Sequence, residues 1–317
     1  MDSKLSSTDN EKTPSTQGVF FSSKKILVSG GGGFIGSELV SFLKKAGHEV
    51  LSLTRSKKRG EESIYWNPKS AEMDPSEFEG FDAVIHLAGK NISSWLWTKK
   101  HKNEVFLSRV RDSWLLSQIL LRLKKPPQTL ICASAIGIFG NRGDEKLNES
   151  SPPGTGFLAE VCKEWEESTS SIESKGVRVI HTRFGLVLSP KGGILAKLLP
   201  LFRIGLGAIL GSGNQYVSWI ALEDVVGGIN HVLMAEELQG PVNFVSPNPV
   251  TNEEFSRGIA KALNKPLFLR IGEKPLQFFL GEMADEMFLA SVRAYPEKLT
   301  NSGYEFAHPN LSSALFK

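Results

Sequence analysis

Eight residues, Ser29-Gly30-Gly31-Gly32-Gly33-Phe34-Ile35-Gly36, constrain this chain more than any others. They close the short apolar run Lys25-Ile26-Leu27-Val28, a buried-strand pattern, and open a stretch where Leu39, Val40 and Phe42-Leu43 recur at helical spacing. Within them Gly30, Gly33 and Gly36 form a Gly-x-x-Gly-x-x-Gly pattern. A pyrophosphate has to approach backbone N–H groups at a helix N-terminus, here those around Phe34 and Ile35. Side chains would block that approach, and the helix dipole favours negative charge there. A second strand pattern, Glu49-Val50-Leu51-Ser52-Leu53-Thr54, completes a strand–turn–helix–strand unit and raises the glycines from a flexible loop to a dinucleotide site.

The end of that second strand bears on which dinucleotide. NAD-selective sites place an acidic residue about 20 residues past the glycines to bind the ribose 2′-hydroxyl. Here the neighbourhood reads Thr54-Arg55, followed by Lys57, Lys58 and Arg59. A guanidinium suits a 2′-phosphate, so the expected cofactor is NADP, held at Thr54 and Arg55. A third apolar strand, Phe81 to His86, ends in Leu87-Ala88-Gly89, small residues that let the backbone pass close to a bound nucleotide.

Composition narrows the classes. The length, 317 residues, gives a prior of about two domains. A formal net charge of +3 is too small for a nucleic-acid argument, and the basic clusters at 57–59 and 99–102 lack interleaved aromatics. The two cysteines, Cys132 and Cys162, have neither Cys-x-x-Cys nor histidine spacing. They read as buried thiols in a reducing compartment, with no metal site. The most apolar segment, Leu195 to Leu210, is interrupted by Lys197, Pro200 and Arg203, so no membrane span is expected. Residues 1–23 are rich in Ser, Thr and charge, include Asp2, Asp9 and Glu11, and read as a disordered tail on a cytoplasmic protein.

The glycine stretch and Asp82-Ala83-Val84-Ile85-His86-Leu87-Ala88 together resemble the extended short-chain dehydrogenase/reductase superfamily, home of the nucleotide-sugar epimerases. Gly89-Lys90-Asn91-Ile92, Trp97-Thr98, Glu104 and Ser108-Arg109 resemble an atypical epimerase-like subfamily, sometimes called cell-division inhibitor-like. The resemblance implies cofactor roles for Glu104 and Arg109. The tail, from Leu280 through Tyr304-Glu305-Phe306, resembles that subfamily's C-terminal domain of unknown function. The resemblance also implies that Leu186 lies near the nicotinamide and that Ser134 hydrogen-bonds the substrate oxygen as the catalytic serine.

The superfamily's other catalytic element, a downstream Tyr-x-x-x-Lys, is missing. Aligning Lys163 with its lysine puts Ala159 at the tyrosine position, and aligning Phe157 with its tyrosine puts Val161 at the lysine position. Tyr65 to Lys69 precedes Ser134 and contains Pro68, so it is a coincidence. Ile138-Phe139 and Ala221 stand where the subfamily has further tyrosine and histidine. Glu160 is a substitute acid or base only if it points inward, and Asp224 is read as capping or orienting the next helix. Thr251 and Glu254 form a capping-box signature.

The expected fold is α/β, a Rossmann doubly wound parallel sheet with a smaller C-terminal substrate-binding part. Residues 24–185, with a return at about 215–245, form the NADP-binding domain; 186–214 and 246–317 form the substrate part. The expected function is an NADP(H)-binding oxidoreductase or nucleoside-diphosphate-sugar epimerase-like protein acting on a small hydroxyl or carbonyl substrate. The alternative is a catalytically degenerate NADP-binding sensor or scaffold. The implied partners are a small-molecule substrate and, for assembly, a homodimer; nucleic acid and membrane are excluded.

Overall fold

A computed structural model describes residues 23–57, 60–70, 74–92 and 97–315. The tail expected before Ser23, and Lys58 and Arg59 of the basic run, lie outside the described residues.

Seven parallel strands form one sheet. They are β1 (Lys25–Ser29), β2 (Glu49–Thr54), β3 (Ser63–Tyr65), β4 (Ala83–His86), β5 (Thr129–Ala135), β6 (Arg178–Phe184) and β7 (Gly240–Phe244). Their order is β7-β6-β5-β4-β1-β2-β3. The order reverses at β1, which pairs with β2 on one side and β4 on the other. In an open sheet of this kind ligands bind outside the carboxyl ends of the strands at that reversal.

Both faces of the sheet are covered, which is why its strands read as continuous apolar runs. Successive residues of β1 serve opposite faces. Ile26 and Val28 join Ile85, Ile131, Ile180 and Val242 beneath α1 (Phe34–Lys45) and α6 (Leu222–Met234). Leu27 joins Val84, Leu130 and Val179 beneath α3 (Val110–Leu121), which contributes Leu116, Ile119 and Leu120. Two more helices edge the carboxyl side, α2 (Lys99–Leu107) and α4 (Phe157–Glu167).

A smaller core forms from later segments: Leu195 and Phe202 of α5 (Gly193–Arg203), Phe255 and Ile259 of α7 (Asn252–Ala262), Trp219 and Leu311. The capping box at the start of α7 is present, Thr251 accepting from the Glu254 N–H while Glu254 accepts from the Thr251 N–H. Asp224 does not cap α6, whose N-cap is Ala221. Its fully buried carboxylate accepts the N–H groups of Ala307 and His308 at 2.7 and 2.9 Å and the Tyr304 hydroxyl at 3.2 Å. A local reading of Asp at a helix start misses this because the donors lie about 80 residues away. Among the described residues no helix is long and apolar enough to cross a membrane.

Candidate functional site

The turn between β1 and α1 is shaped by close approach. Gly30 has φ 74°, and a Cβ there would sit 2.9 Å from Ala88 N and from the Leu87 carbonyl carbon. A Cβ on Gly36 would fall 2.1 Å from the Gly30 oxygen, so neither position admits a side chain. Gly33 donates its N–H to the Gly30 oxygen at 2.9 Å and then serves as the N-cap of α1. That helix has no side-chain cap and no acidic residue in its first turn. The N–H groups of Phe34 and Ile35 have no acceptor among the described residues. Unpaired donors, a helix dipole and a Cβ-free surface at Gly32 and Gly33 make a site for an anion. Above them opens a cleft of about 250 Å³, lined also by Ser37, Lys191 and Gly192. The Phe34 ring lies directly under Gly192, where a Cβ would come within 2.4 Å of it.

Strand β4 ends beside the glycine turn, pairing with β1. Ser29 Oγ lies 2.5 Å from His86 Nδ1 and accepts the Ala88 N–H at 3.3 Å, which fixes the Leu87-Ala88-Gly89 turn against Gly30. Burial depresses the His86 imidazole pKa to about 4. Thr54 ends β2 and accepts the Ser56 N–H on its hydroxyl at 3.2 Å. Arg55 follows, exposed, with no ion pair or side-chain hydrogen bond among the described residues.

Beyond Gly89 the helix α2 is tied to the same turn. Lys90 pairs with Glu104 at 3.0 Å, and its N–H reaches Ser108 Oγ at 2.9 Å. The Lys90 hydrogen bond and charge hold the Glu104 carboxyl below its ordinary value. Arg109 donates to the Lys90 and Val105 carbonyls at 3.0 and 3.3 Å and lies over the Trp165 ring, 5.1 Å from its centroid. No carboxylate pairs with it among the described residues, and burial lowers its pKa. Its guanidinium lies within 3.8 Å of where a Gly89 Cβ would project. Leu186 sits half-buried in a short parallel pair with Trp219.

Ser134 occupies a different setting from the one its family role implies. It is 2% exposed, and its hydroxyl donates to Glu166 Oε1 at 2.7 Å. Arg183 grips the same carboxylate with two bonds of 2.8 Å. Strand alternation turns Ser134 toward α4, and its one donor hydrogen is used there. No phenol–lysine pair takes its place among the described residues: Ala159 and Val161 are buried, and Glu160 is exposed. Ile138, Phe139 and Ala221 are likewise buried. The two thiols are buried, their pKa values pushed up to about 12, and carry no nucleophile.

Sequence reading misses a polar cluster at the mouth of the site. The Phe157 ring, first in α4, packs edge-on against Trp97 with centroids 5.4 Å apart. Lys102 Nζ stands 4.3 Å above the Phe157 ring and donates to both oxygens of Glu282 at 2.8 Å. Glu286 caps α4, accepting the N–H groups of Phe157 and Leu158 at 2.9 and 3.1 Å. The partners are 128 to 180 residues apart, so no local pattern reveals them.

Comparison with known proteins adds the lineage. Residues 26–245 match the model of the NAD dependent epimerase/dehydratase family, and residues 273–316 match a domain of unknown function, DUF1731. An epimerase family protein of Mycobacterium bovis is 40% identical over 290 residues, covering 92% of this chain and 96% of that one. A crystal structure of the human epimerase family protein SDR39U1 with NADPH superposes with a TM-score of 0.85 at 30% identity, covering 92% and 98% of the two chains. A nucleoside-diphosphate sugar epimerase from Corynebacterium glutamicum gives 0.78 at 32% identity, covering 93% of this chain and 57% of its own. This chain belongs to the NAD dependent epimerase/dehydratase family.

Proposed function

We propose that the protein binds NADP(H) and acts as an oxidoreductase or nucleoside-diphosphate-sugar epimerase-like enzyme on a small hydroxyl or carbonyl compound. The observation that carries the reading is the α1 N-terminus, where the Phe34 and Ile35 N–H groups are unpaired and the Gly30 and Gly36 positions are closed to any side chain. That cradle fits a pyrophosphate. Gly30, Gly33 and Gly36 would hold it by backbone, and Leu87-Ala88-Gly89 would flank the adjoining nucleoside. Arg55 supplies an unpaired cation at the end of β2, suited to a 2′-phosphate. The human relative crystallised with NADPH supports the same choice.

When bound, the dinucleotide gives or takes a hydride. The chain's own contribution is to bind, orient and manage a proton. Arg109 braces the Gly89-Lys90 turn from beneath and brings an uncompensated positive charge toward the nucleotide. Ser134 acts through Glu166: its hydrogen bond and the Arg183 clamp fix the end of β5 against α4. Fluorescence titration with NADPH and NADH, followed by NADPH oxidation against a panel of carbonyl compounds, tests the reading. NADPH binding with turnover on one carbonyl class is the expected result. Failure to bind either dinucleotide overturns it. Tight NADPH binding without turnover on any carbonyl would return the sensor alternative, a protein that reports cofactor state without chemistry.

A further inference from the structure

We propose that Lys102 is the proton-carrying residue of this site, held over Phe157 by Glu282 of the C-terminal domain. The inference rests on the NADP(H) reading and assigns the acid/base that reading leaves open.

The placement is made by three converging elements. The start of α4 lies at the carboxyl edge of the sheet, where Leu158 packs against Gly137 in the turn directly after β5, 3.3 Å from a Cβ placed there. Helix α2 is tied to the turn after β4 through Lys90 and its partners Glu104 and Ser108. Lys102, on α2, therefore reaches over the mouth between the ends of β4 and β5, with its ammonium 4.3 Å above the Phe157 ring. The Glu282 carboxylate fixes that ammonium with two equal bonds of 2.8 Å, from a segment whose Glu286 is itself anchored on the N–H groups of Phe157 and Leu158.

Two other proton carriers nearby are committed elsewhere. The Ser134 hydroxyl and the Glu166 carboxylate belong to the Arg183 cluster. Glu160 is exposed to solvent, one turn along α4 from Phe157. Lys90 and Lys102 each pair with a carboxylate, and the Lys90 side chain is the more exposed, 49% against 27% for Lys102. In the reducing direction the carbonyl carbon gains a C–H bond from the hydride, and NADPH becomes NADP⁺. The carbonyl oxygen takes a proton from the Lys102 ammonium, which is left as an amine. Solvent returns that proton by way of the half-exposed Glu282 carboxylate. Oxidation of an alcohol runs the same transfers backward.

The location can be tested without knowing the substrate. Phe157→Tyr places a phenol under Lys102, and ¹³C NMR of its Cζ follows its titration among the four natural tyrosines. The charged groups facing it are Lys102 from α2 and Glu282 and Glu286 from the C-terminal segment. Adding Lys102→Met should raise the phenol pKa, since it removes the cation and leaves both carboxylates. The NADP⁺ complex should titrate about one pH unit below the NADPH complex, because the two differ by one positive charge on the nicotinamide. Identical titrations in two complexes that both form would place residue 157 far from the nicotinamide and overturn the proposal, leaving NADP(H) binding intact. Failure of either dinucleotide to bind would instead overturn the underlying reading.

The proton role is tested on the carbonyl substrate that the panel identifies. Lys102→Arg keeps the charge and cannot release a proton. Lys102→Arg and Lys102→Met should both lower kcat about 100-fold, with NADPH affinity and melting temperature near wild type. Restoration of kcat by arginine would show that Lys102 acts only as a charge and would sink the proton assignment.

Discussion

The Ser29 hydroxyl and Nδ1 of His86 face each other at 2.5 Å across register partners of two neighbouring strands. Ser29 Oγ also accepts the Ala88 N–H, and the direction of its bond to Nδ1 follows the imidazole tautomer, which sets whether Nε2 carries the ring hydrogen. That nitrogen is buried without a hydrogen-bond partner, beside a Trp66 ring 5.9 Å away and tilted by 64°. Burial disfavours the imidazolium, so His86 is neutral in the folded chain at neutral pH.

A pH prediction follows with a definite sign. His86 titrates near pH 6.5 in the unfolded chain and near 4 when folded, so its contribution to stability is whole above pH 6.5 and is lost as pH falls toward 4. At pH 5 the loss relative to pH 7 is about 2 kcal/mol. Urea unfolding at both pH values, in wild type and His86→Gln, should show a decline about 2 kcal/mol smaller in the variant. Parallel declines would remove His86 as the cause.

Cofactor choice should turn on Arg55. A charge-assisted contact with a phosphate contributes about 1.5–3 kcal/mol, so Arg55→Asp should weaken NADPH binding by about 10- to 100-fold while leaving NADH little changed. Fluorescence titration of both dinucleotides measures this directly. A wild type that prefers NADH would defeat the assignment.

The buried cluster behind the site predicts an order of costs. Glu166→Ala leaves Arg183, whose side chain is 7% exposed, without its anion and should cost about 3–5 kcal/mol. Ser134→Ala removes one hydrogen bond to that anion and should cost about 1.5–3 kcal/mol. Chemical denaturation ranks the two. A Ser134→Ala protein of wild-type stability that loses all turnover would restore a direct substrate role to Ser134.

Asp224 is the anchor of the chain's last turn. Asp224→Ala strands the Ala307 and His308 N–H groups, leaves the Tyr304 hydroxyl only its 3.1 Å bond to the residue-224 carbonyl, and should cost about 3 kcal/mol. Limited proteolysis should then cut between residues 300 and 315 sooner than in wild type. Unchanged cleavage would show that other contacts hold the segment.

What could be read from sequence follows the range of the interaction. Gly30, Gly33 and Gly36 announce themselves because a strand, a turn and a helix start fit within a dozen residues, and apolar runs mark β1, β2 and β4 from their own side chains, whereas the short β3 and the edge strand β7 are not read in this way. Thr251 and Glu254 are legible for the same reason. Ser134 misleads because its neighbours in sequence resemble a substrate-facing turn, whereas its partner Glu166 lies 32 residues on. Lys102 is hidden more deeply, since the groups that give it meaning arrive from α4 and from the C-terminal segment. Asp224 shows the same limit: helix-start chemistry is local, and the donors that claim its carboxylate are tertiary.

Leu299, within the stretch that matches DUF1731, is fully buried in the same cluster as Ile26 of the first strand and Ile229 of α6. A boundary drawn by family matching at residue 273 thus cuts through a shared interior. Removing residues 273–316 would lay that interior bare, so a chain truncated at the boundary should aggregate rather than fold as a smaller unit.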